Sequence, residues 1–205
     1  MEILKYIALA VLSYFIGCFN AAHFISTRVM KTDIREHGSG NPGSANMMRA
    51  FGAKAGVAVF FLDAAKGFLA MQLTALFGVE RGWGTLVCGL FVVAGHNWPA
   101  TMHFKGGKGV ATTIGSAFAY APIITAVCLA AALMVVAITK YVSVGALFGI
   151  GSAVIVLLIL DFYWQQRLLM SLLFAISLWQ HRANITRLRS GTEAKFTNRE
   201  KRDAK

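Results

Sequence analysis

Apolar residues run along this chain in six long stretches, at roughly 3–25, 55–78, 83–100, 110–139, 142–160 and 162–180. Each meets or approaches the ~20 residues that a helix needs to cross a bilayer. The pattern predicts an all-α, polytopic membrane helix bundle. The fourth stretch is ambiguous: about 30 residues would reach ~45 Å as one helix, and Pro122 stands near its first third. One long tilted span or two short ones would both satisfy it.

Charge arbitrates. The segment between the first two runs carries Arg28, Lys31, Arg35, Arg49 and Lys54, whereas Lys5 is the cation near the amino terminus. Cytoplasmic loops hold the excess of Lys and Arg, so the amino terminus is expected outside. The carboxyl tail, with Arg182, Arg187, Arg189, Lys195, Arg199, Lys201, Arg202 and Lys205, is expected inside. An out-to-in chain needs an odd number of crossings, which splits the fourth run at Pro122 and gives seven transmembrane helices. Each half is short, so thinning, tilt or a partly re-entrant piece is expected. Lys140 then falls inside, and Glu80, Arg81 and Asp161 outside. Residues 1–190 read as a single integral membrane domain, and 191–205 as a basic cytoplasmic tail with a disordered end.

Composition agrees with lipid as the main solvent: hydrophobic residues make up 57%, mean hydropathy is +0.60, and soluble domains hold about 45–50%. The net charge of +11 crowds into inter-helix segments rather than lining one face, which points to topology and anionic headgroups, not nucleic acid. Cys18, Cys88 and Cys128 lie in apolar runs without CxxC spacing or paired His, so they read as packing residues and indicate neither zinc nor a disulfide framework. Phe15-Ile16-Gly17-Cys18 resembles a lipoprotein cleavage box, but the first run reads as a retained helix.

Three glycine-and-basic clusters interrupt the apolar runs: His37–Arg49, Phe104–Thr113 and His181–Glu193. Glycine lets backbone N–H groups turn toward an anion, and Arg or Lys supplies countercharge, so each cluster suits phosphate. In the first, Gly38, Ser39, Gly40, Asn41 and Ser44 offer donors, and Arg49 could close on an oxyanion bidentately. Asp33, Arg35 and Glu36 read as a solvated rim. The second, Lys105, Gly106, Gly107, Lys108 and Gly109, is not a nucleotide-binding P-loop: the required earlier glycine and following Ser or Thr are replaced by Met102 and Gly109. It remains a glycine turn opening a helix at Val110, whose N–H groups and dipole favour an anion, with Thr112 and Thr113 adding hydroxyls. Just before it, His96 is expected to engage a backbone carbonyl or a ligand, since no second metal ligand has zinc spacing. In the third, His181 and Asn184 share a face if the last membrane helix runs on. Asp63 and Lys66, at i and i+3 within the second run, form either a structural ion pair or a support for the site.

These motifs resemble the bacterial acyl-phosphate:glycerol-3-phosphate acyltransferases: the G-S-G-N-P-G-S-A-N stretch with Arg49, the G-H-N-W-P and F-K-G-G-K-G-V-A-T pair, and the H-R-x-N-I-x-R-L-x-x-G-T-E tail. The resemblance covers essentially the whole chain. It implies a multi-pass inner-membrane enzyme with cytosolic motifs, using long-chain acyl phosphate and glycerol 3-phosphate to make 1-acyl-glycerol 3-phosphate, without cofactor or metal. It also implies that Ser39, Arg49, Lys108, His181 and Asn184 are substrate-site residues, and that the second cluster is a phosphate-binding loop. No oligomeric partner is indicated. An acyl phosphate is a mixed anhydride with a good leaving group, so positioning and charge neutralisation suffice. The H-x-x-x-x-D signature of soluble acyltransferases is absent after His23, His37, His96, His103 and His181. A substrate phosphate oxygen is therefore expected to take the hydroxyl proton, with Ser39 and His181 positioning. The rival reading is a transporter or flippase for a phosphorylated solute or lipid.

Overall fold

The computed structural model describes residues 2–196; the basic tail read at Arg199, Lys201, Arg202 and Lys205 lies outside them. Within those bounds the regular structure is helical: α1 (Glu2–Cys18), α2 (Ala21–Arg28), α3 (Ser44–Phe51), α4 (Ala53–Leu76), α5 (Arg81–Asn97), α6 (Val110–Phe118), α7 (Pro122–Thr139), α8 (Val142–Ile159), α9 (Trp164–Gln180) and α10 (Arg182–Arg189), with short helical turns at Ile34–Glu36 and Ala100–Met102. Four stretches are long and apolar enough to cross a membrane: Glu2–Arg28, Ala53–Leu76, Pro122–Thr139 and Val142–Ile159.

The fourth apolar run divides where the sequence indicated. Pro122 occupies the first turn of α7, where a missing N–H costs nothing because that group would have no helical partner. The halves are unequal. The 9 residues of α6 rise only ~13 Å, under half of the ~30 Å hydrocarbon thickness.

Two breaks depart from the periodic reading. The first run is interrupted at Phe19 and Asn20, and Asn20 restarts the helix: its Oδ1 accepts from His23 N at 2.8 Å and its Nδ2 donates to Pro42 O at 3.1 Å. The last membrane helix does not run on through Asn184. It stops at Gln180, and His181 caps both the end of α9 and the start of α10.

Where helices come closest, glycine faces backbone. A Cβ on Gly17 would lie 2.2 Å from Val92 O and one on Gly95 2.1 Å from Tyr14 O, which welds α1 to α5. Gly67 and Gly115 do the same between α4 and α6, with Cβ distances of 2.2 Å to Thr112 O and 1.8 Å to Ala64 O. Small residues at such crossings allow the dispersion contact that holds helices together in lipid, where no hydrophobic drive exists between them. One apolar core gathers Leu9, Val92, Val93, Leu169 and Leu173, another Cys128, Ile150, Leu157 and Met170. The three cysteines are free and buried. Outward-facing Ile3, Leu4, Ile123, Ile138 and Ile159 are exposed, as a lipid-solvated surface requires.

Candidate active site

The first glycine loop is closed from within by Asn46, which is 1% exposed. Its Nδ2 donates to His37 O (2.9 Å) and Ile34 O (3.3 Å), and its Oδ1 accepts from Ser39 N (3.0 Å). Gly38 and Gly40 bend at φ 54 and 70, a region side chains enter at a cost. Beside this loop, Arg35 holds the Asp33 carboxyl down at about 2 through a 2.6 Å ion pair.

The second loop folds back onto the end of α5: Gly106 N donates to Asn97 O and Gly107 N to His96 O, both at 3.1 Å. Gln180 Nε2 ties Gly107 O from α9 at 3.2 Å. Gly109, at φ +76, then opens α6. The first helical bond there runs from Thr113 N to Gly109 O at 2.7 Å, so the N–H groups of Val110, Ala111 and Thr112 have no partner within the helix and present a partial positive charge.

The third cluster builds a polar chain across elements. Lys108 Nζ donates to Asn184 Oδ1, and Asn184 Nδ2 donates to Glu193 Oε1 at 2.6 Å. Ser143 Oγ reaches the same carboxylate oxygen at 3.0 Å and Arg187 Nε reaches Oε2 at 2.8 Å. Residues 191–196 therefore form a strap over the site, pinned further by Arg49 Nη2 to Ala194 O (3.0 Å) and Phe196 N to Lys140 O (2.7 Å). Burial raises the pKa of Glu193, but the bonds from Asn184, Arg187 and Ser143 outweigh it and hold the carboxylate below its usual range. Burial, with Arg187 and Arg49 nearby and Glu193 opposing, brings Lys108 down to about 8. Burial and the Lys108 charge bring His181 down to about 4, so its ring is neutral near pH 7. Its Nδ1 lies 2.8 Å from Ser177 O; a carbonyl only accepts, so Nδ1 carries the proton and Nε2 the lone pair.

These parts meet at one cavity of about 1250 Å³. Its polar end is lined by Ser39, Asn41, Ser44, Arg49, Lys108, Gly109, Asn184 and Glu193, drawn from all three clusters. The remaining lining is mainly apolar, with Phe60 and Phe68 of α4, Ile114 and Phe118 of α6, and Leu129 and Leu133 of α7, and it also includes Asp63, His96, Lys140 and Ser143. Gly38, Gly40, Lys105, Gly106, Gly107 and His181 stand outside this wall. The two outer glycines shape the first loop, Gly106 and Gly107 anchor the second, Lys105 is exposed, and His181 is buried with its ring held at Ser177 O. Thr112 and Thr113 are buried away from the cavity as well.

A second polar group adjoins the cavity. Lys66 Nζ contacts Gly17 O (3.0 Å) and Phe19 O (2.5 Å), the carbonyls freed where α1 ends, together with His96 Nδ1 (2.8 Å) and Asp63 Oδ1 (3.0 Å). Of the two partners expected for His96, a backbone carbonyl or a ligand, the carbonyl is not the one on its ring: the protein groups there are an ammonium and, at 3.6 Å, a carboxylate. Sequence reasoning missed the structural role of Asn46 and the joining of His96 to the Asp63–Lys66 pair. The signal for Asn46 was its place at the first turn of a helix following a glycine loop. Among the described residues no group of three or more His, Cys, Asp or Glu side chains is placed to hold a metal ion.

Comparison with known proteins gives the chain a family. A glycerol-3-phosphate acyltransferase family model matches residues 7–191. The chain is 43% identical over 201 residues to a glycerol-3-phosphate acyltransferase of Clostridioides difficile (strain 630), covering 96% of this chain and 98% of that one. It is 44% identical over 199 residues to the one of Finegoldia magna, again covering 96% and 98%. Among solved structures, it resembles PlsY (YgiH), an integral membrane glycerol 3-phosphate acyltransferase, in its glycerol 3-phosphate form with TM-score 0.86, 33% identity, and 93% of this chain and 94% of that one covered. The lysophosphatidic acid form matches with TM-score 0.84 at the same identity and coverage. With a helical fold shared with solved relatives and sequence relatives along nearly its whole length, this chain belongs to the glycerol-3-phosphate acyltransferase family of integral membrane enzymes.

Proposed function

We propose that this chain transfers a long-chain acyl group from acyl phosphate to the 1-hydroxyl of glycerol 3-phosphate, giving lysophosphatidic acid and inorganic phosphate. The observation that carries the reading is the lining of one large cavity, in which Lys108, Arg49 and the open first turn of α6 are joined with an extensive apolar wall from α4, α6 and α7. Two phosphoryl groups sit at the polar end, one from each substrate, and the acyl tail lies along α4, α6 and α7. The bound forms of the solved relative, with glycerol 3-phosphate and with lysophosphatidic acid, support this choice of acceptor and product.

The step needs no covalent enzyme intermediate. The 1-hydroxyl oxygen attacks the acyl carbonyl carbon, the carbon–oxygen bond to phosphate breaks, and phosphate leaves with the bonding pair. The hydroxyl proton passes to a phosphate oxygen. Ser39 and the first glycine loop orient the phosphoryl groups, Arg49 and Lys108 neutralise the charge that builds on the leaving phosphate, and Asn184 holds Lys108 in place. His181, neutral and with its lone pair on Nε2, orients the acceptor. Gly38, Gly40, Lys105, Gly106 and Gly107 shape the binding loops.

The charge distribution supports seven spans in one domain, with the amino terminus outside and the cavity on the cytoplasmic face of a bacterial inner membrane. A transporter is the second reading; against it, the three glycine-and-basic clusters gather on one cavity and the two halves of the chain show no evident internal repeat. The test uses purified protein in detergent with palmitoyl phosphate and labelled glycerol 3-phosphate. Lysophosphatidic acid forming without any vesicle compartment is the expected result; substrate uptake into liposomes without product would refute the reading.

A further inference from the structure

His96 and its two charged neighbours do not appear in the mechanism above, yet Asp63 and His96 both form part of the cavity wall. Charged side chains within a membrane bundle are expensive and mark function more often than fold. Lys66 is 5% exposed, His96 4% and Asp63 1%. A His beside an Asp invites the reading of a catalytic base, the pair that local sequence spacing had excluded. The distances argue otherwise.

A histidine base would carry its proton on Nδ1, donated to the carboxylate, and keep its lone pair on Nε2. Here Nδ1 lies 3.6 Å from Asp63 Oδ1, beyond hydrogen-bond range, and 2.8 Å from Lys66 Nζ. Two carbonyl oxygens and a carboxylate surround that same Nζ, an environment that calls for an ammonium. An ammonium only donates, so Nδ1 must accept and the ring proton must sit on Nε2. That edge of the ring faces the second glycine loop: a Cβ on Gly107 would stand 2.2 Å from Nε2, and Gly107 N is bonded to the His96 carbonyl at 3.1 Å. The adjoining Lys108 and Gly109 line the cavity.

Resting on the phosphoryl-binding reading of this cavity, we propose that His96 is a substrate-contacting donor whose Nε2–H binds a phosphoryl oxygen at the mouth of α6, with Lys66 and Asp63 as positioning residues that fix its tautomer. The ligand chemistry is a phosphate monoester or acyl phosphate dianion. Lys66 also ties the ring to the broken end of α1, so the donor is aimed by three helices before substrate arrives.

Two amides separate this role from a structural one. The amide nitrogen of His96→Gln reaches the Nε2 position, and that of His96→Asn the Nδ1 position. Acyl transfer by the purified full chain should keep kcat/KM within about tenfold in H96Q and lose about 100-fold or more in H96N, as for removal of one preorganised donor. A rise in KM confined to palmitoyl phosphate or to glycerol 3-phosphate identifies which phosphoryl group is held. Equal or better activity of H96N than H96Q would overturn the proposal. Nitrogen-15 NMR of the wild-type histidines gives a readout independent of turnover: a neutral His96 protonated on Nε2, whose resonance moves on adding inorganic phosphate, is expected. A proton on Nδ1, or no response to phosphate, would sink the idea. Wild-type protein that makes no lysophosphatidic acid but shows the NMR response would refute the proposed reaction and leave the phosphate donor standing.

Discussion

Replacing Glu193 by Gln removes one charge from the strap while keeping its shape. The wild-type carboxylate accepts from Asn184 at 2.6 Å, Ser143 at 3.0 Å and Arg187 at 2.8 Å. A Gln oxygen can still accept from Asn184 and Ser143, but its NH₂ then faces the Arg187 Nε–H, so one charge-assisted bond is lost and replaced by two opposed donors. Such bonds contribute about 1.5–3 kcal/mol. The Arg187 side chain is 41% exposed, and water softens the loss toward the lower end of that range. At about 1.4 kcal/mol per factor of ten, kcat/KM should fall roughly 10- to 30-fold. A second consequence has a definite sign. The Glu193 charge raises the pKa of Lys108, which stands at about 8; neutralising Glu193 lowers it. The ammonium that binds phosphate is then lost at lower pH, and the alkaline fall in kcat/KM moves to lower pH. The assay is release of inorganic phosphate from palmitoyl phosphate with saturating glycerol 3-phosphate, from pH 6 to 9.5. Activity within twofold of wild type, or an alkaline limb that stays put or moves up, would refute the reasoning.

Gly109→Ala places a side chain at φ +76 and 2.7 Å from Asn97 Oδ1, so backbone strain of about 1–2 kcal/mol plus that contact should distort the first turn of α6; steady-state kinetics should show KM rising at least tenfold for a phosphoryl substrate. Gly115→Ala puts a Cβ 1.8 Å from Ala64 O, forcing α4 and α6 apart, and size-exclusion chromatography in detergent should show aggregated rather than monodisperse protein. His181 has a folded pKa of about 4 against about 6.5 unfolded. The unfolded chain binds more protons between these values, so stability rises with pH across that window, and acidification from pH 7 to 4 should cost about 3 kcal/mol; thermal unfolding of His181→Gln should show a shallower acid loss than wild type. Leu129→Trp adds bulk to the apolar wall, and competition between acyl phosphates should shift toward shorter chains.

Much of the site was legible because its chemistry demands unusual residues. Glycine beside lysine or arginine in a lipid-soluble chain has few uses, and the clusters at His37–Arg49, Phe104–Thr113 and His181–Glu193 do supply the polar end of one cavity. Pro122 was equally plain, since a residue without an N–H announces a helix start. What stayed hidden depends on contacts between distant segments. The break at Phe19 and Asn20 lies inside an unbroken apolar run, and only the capping bond of Asn20 to His23 N exposes it. No glycine or proline separates Gln180 from Arg182, so periodicity carried α9 past its true end at His181. Asp63 and Lys66 announced themselves by i, i+3 spacing, but His96 joins them from 30 positions away. Local spacing rejected a His–Asp pair that the packing of α4 on α5 then assembled with a lysine between.

Convergence of the three clusters on one face of the membrane is the claim on which the rest stands, and sided thiol labelling tests it most directly. Single cysteines at Ser39, Lys108 and Ala194, with Glu80→Cys for the opposite end of the bundle, are exposed to a membrane-impermeant maleimide in right-side-out and inverted vesicles. The account predicts that the first three react from the cytoplasmic side alone and Glu80→Cys from the other side alone. Reaction of any two of the first three from opposite faces would contradict it.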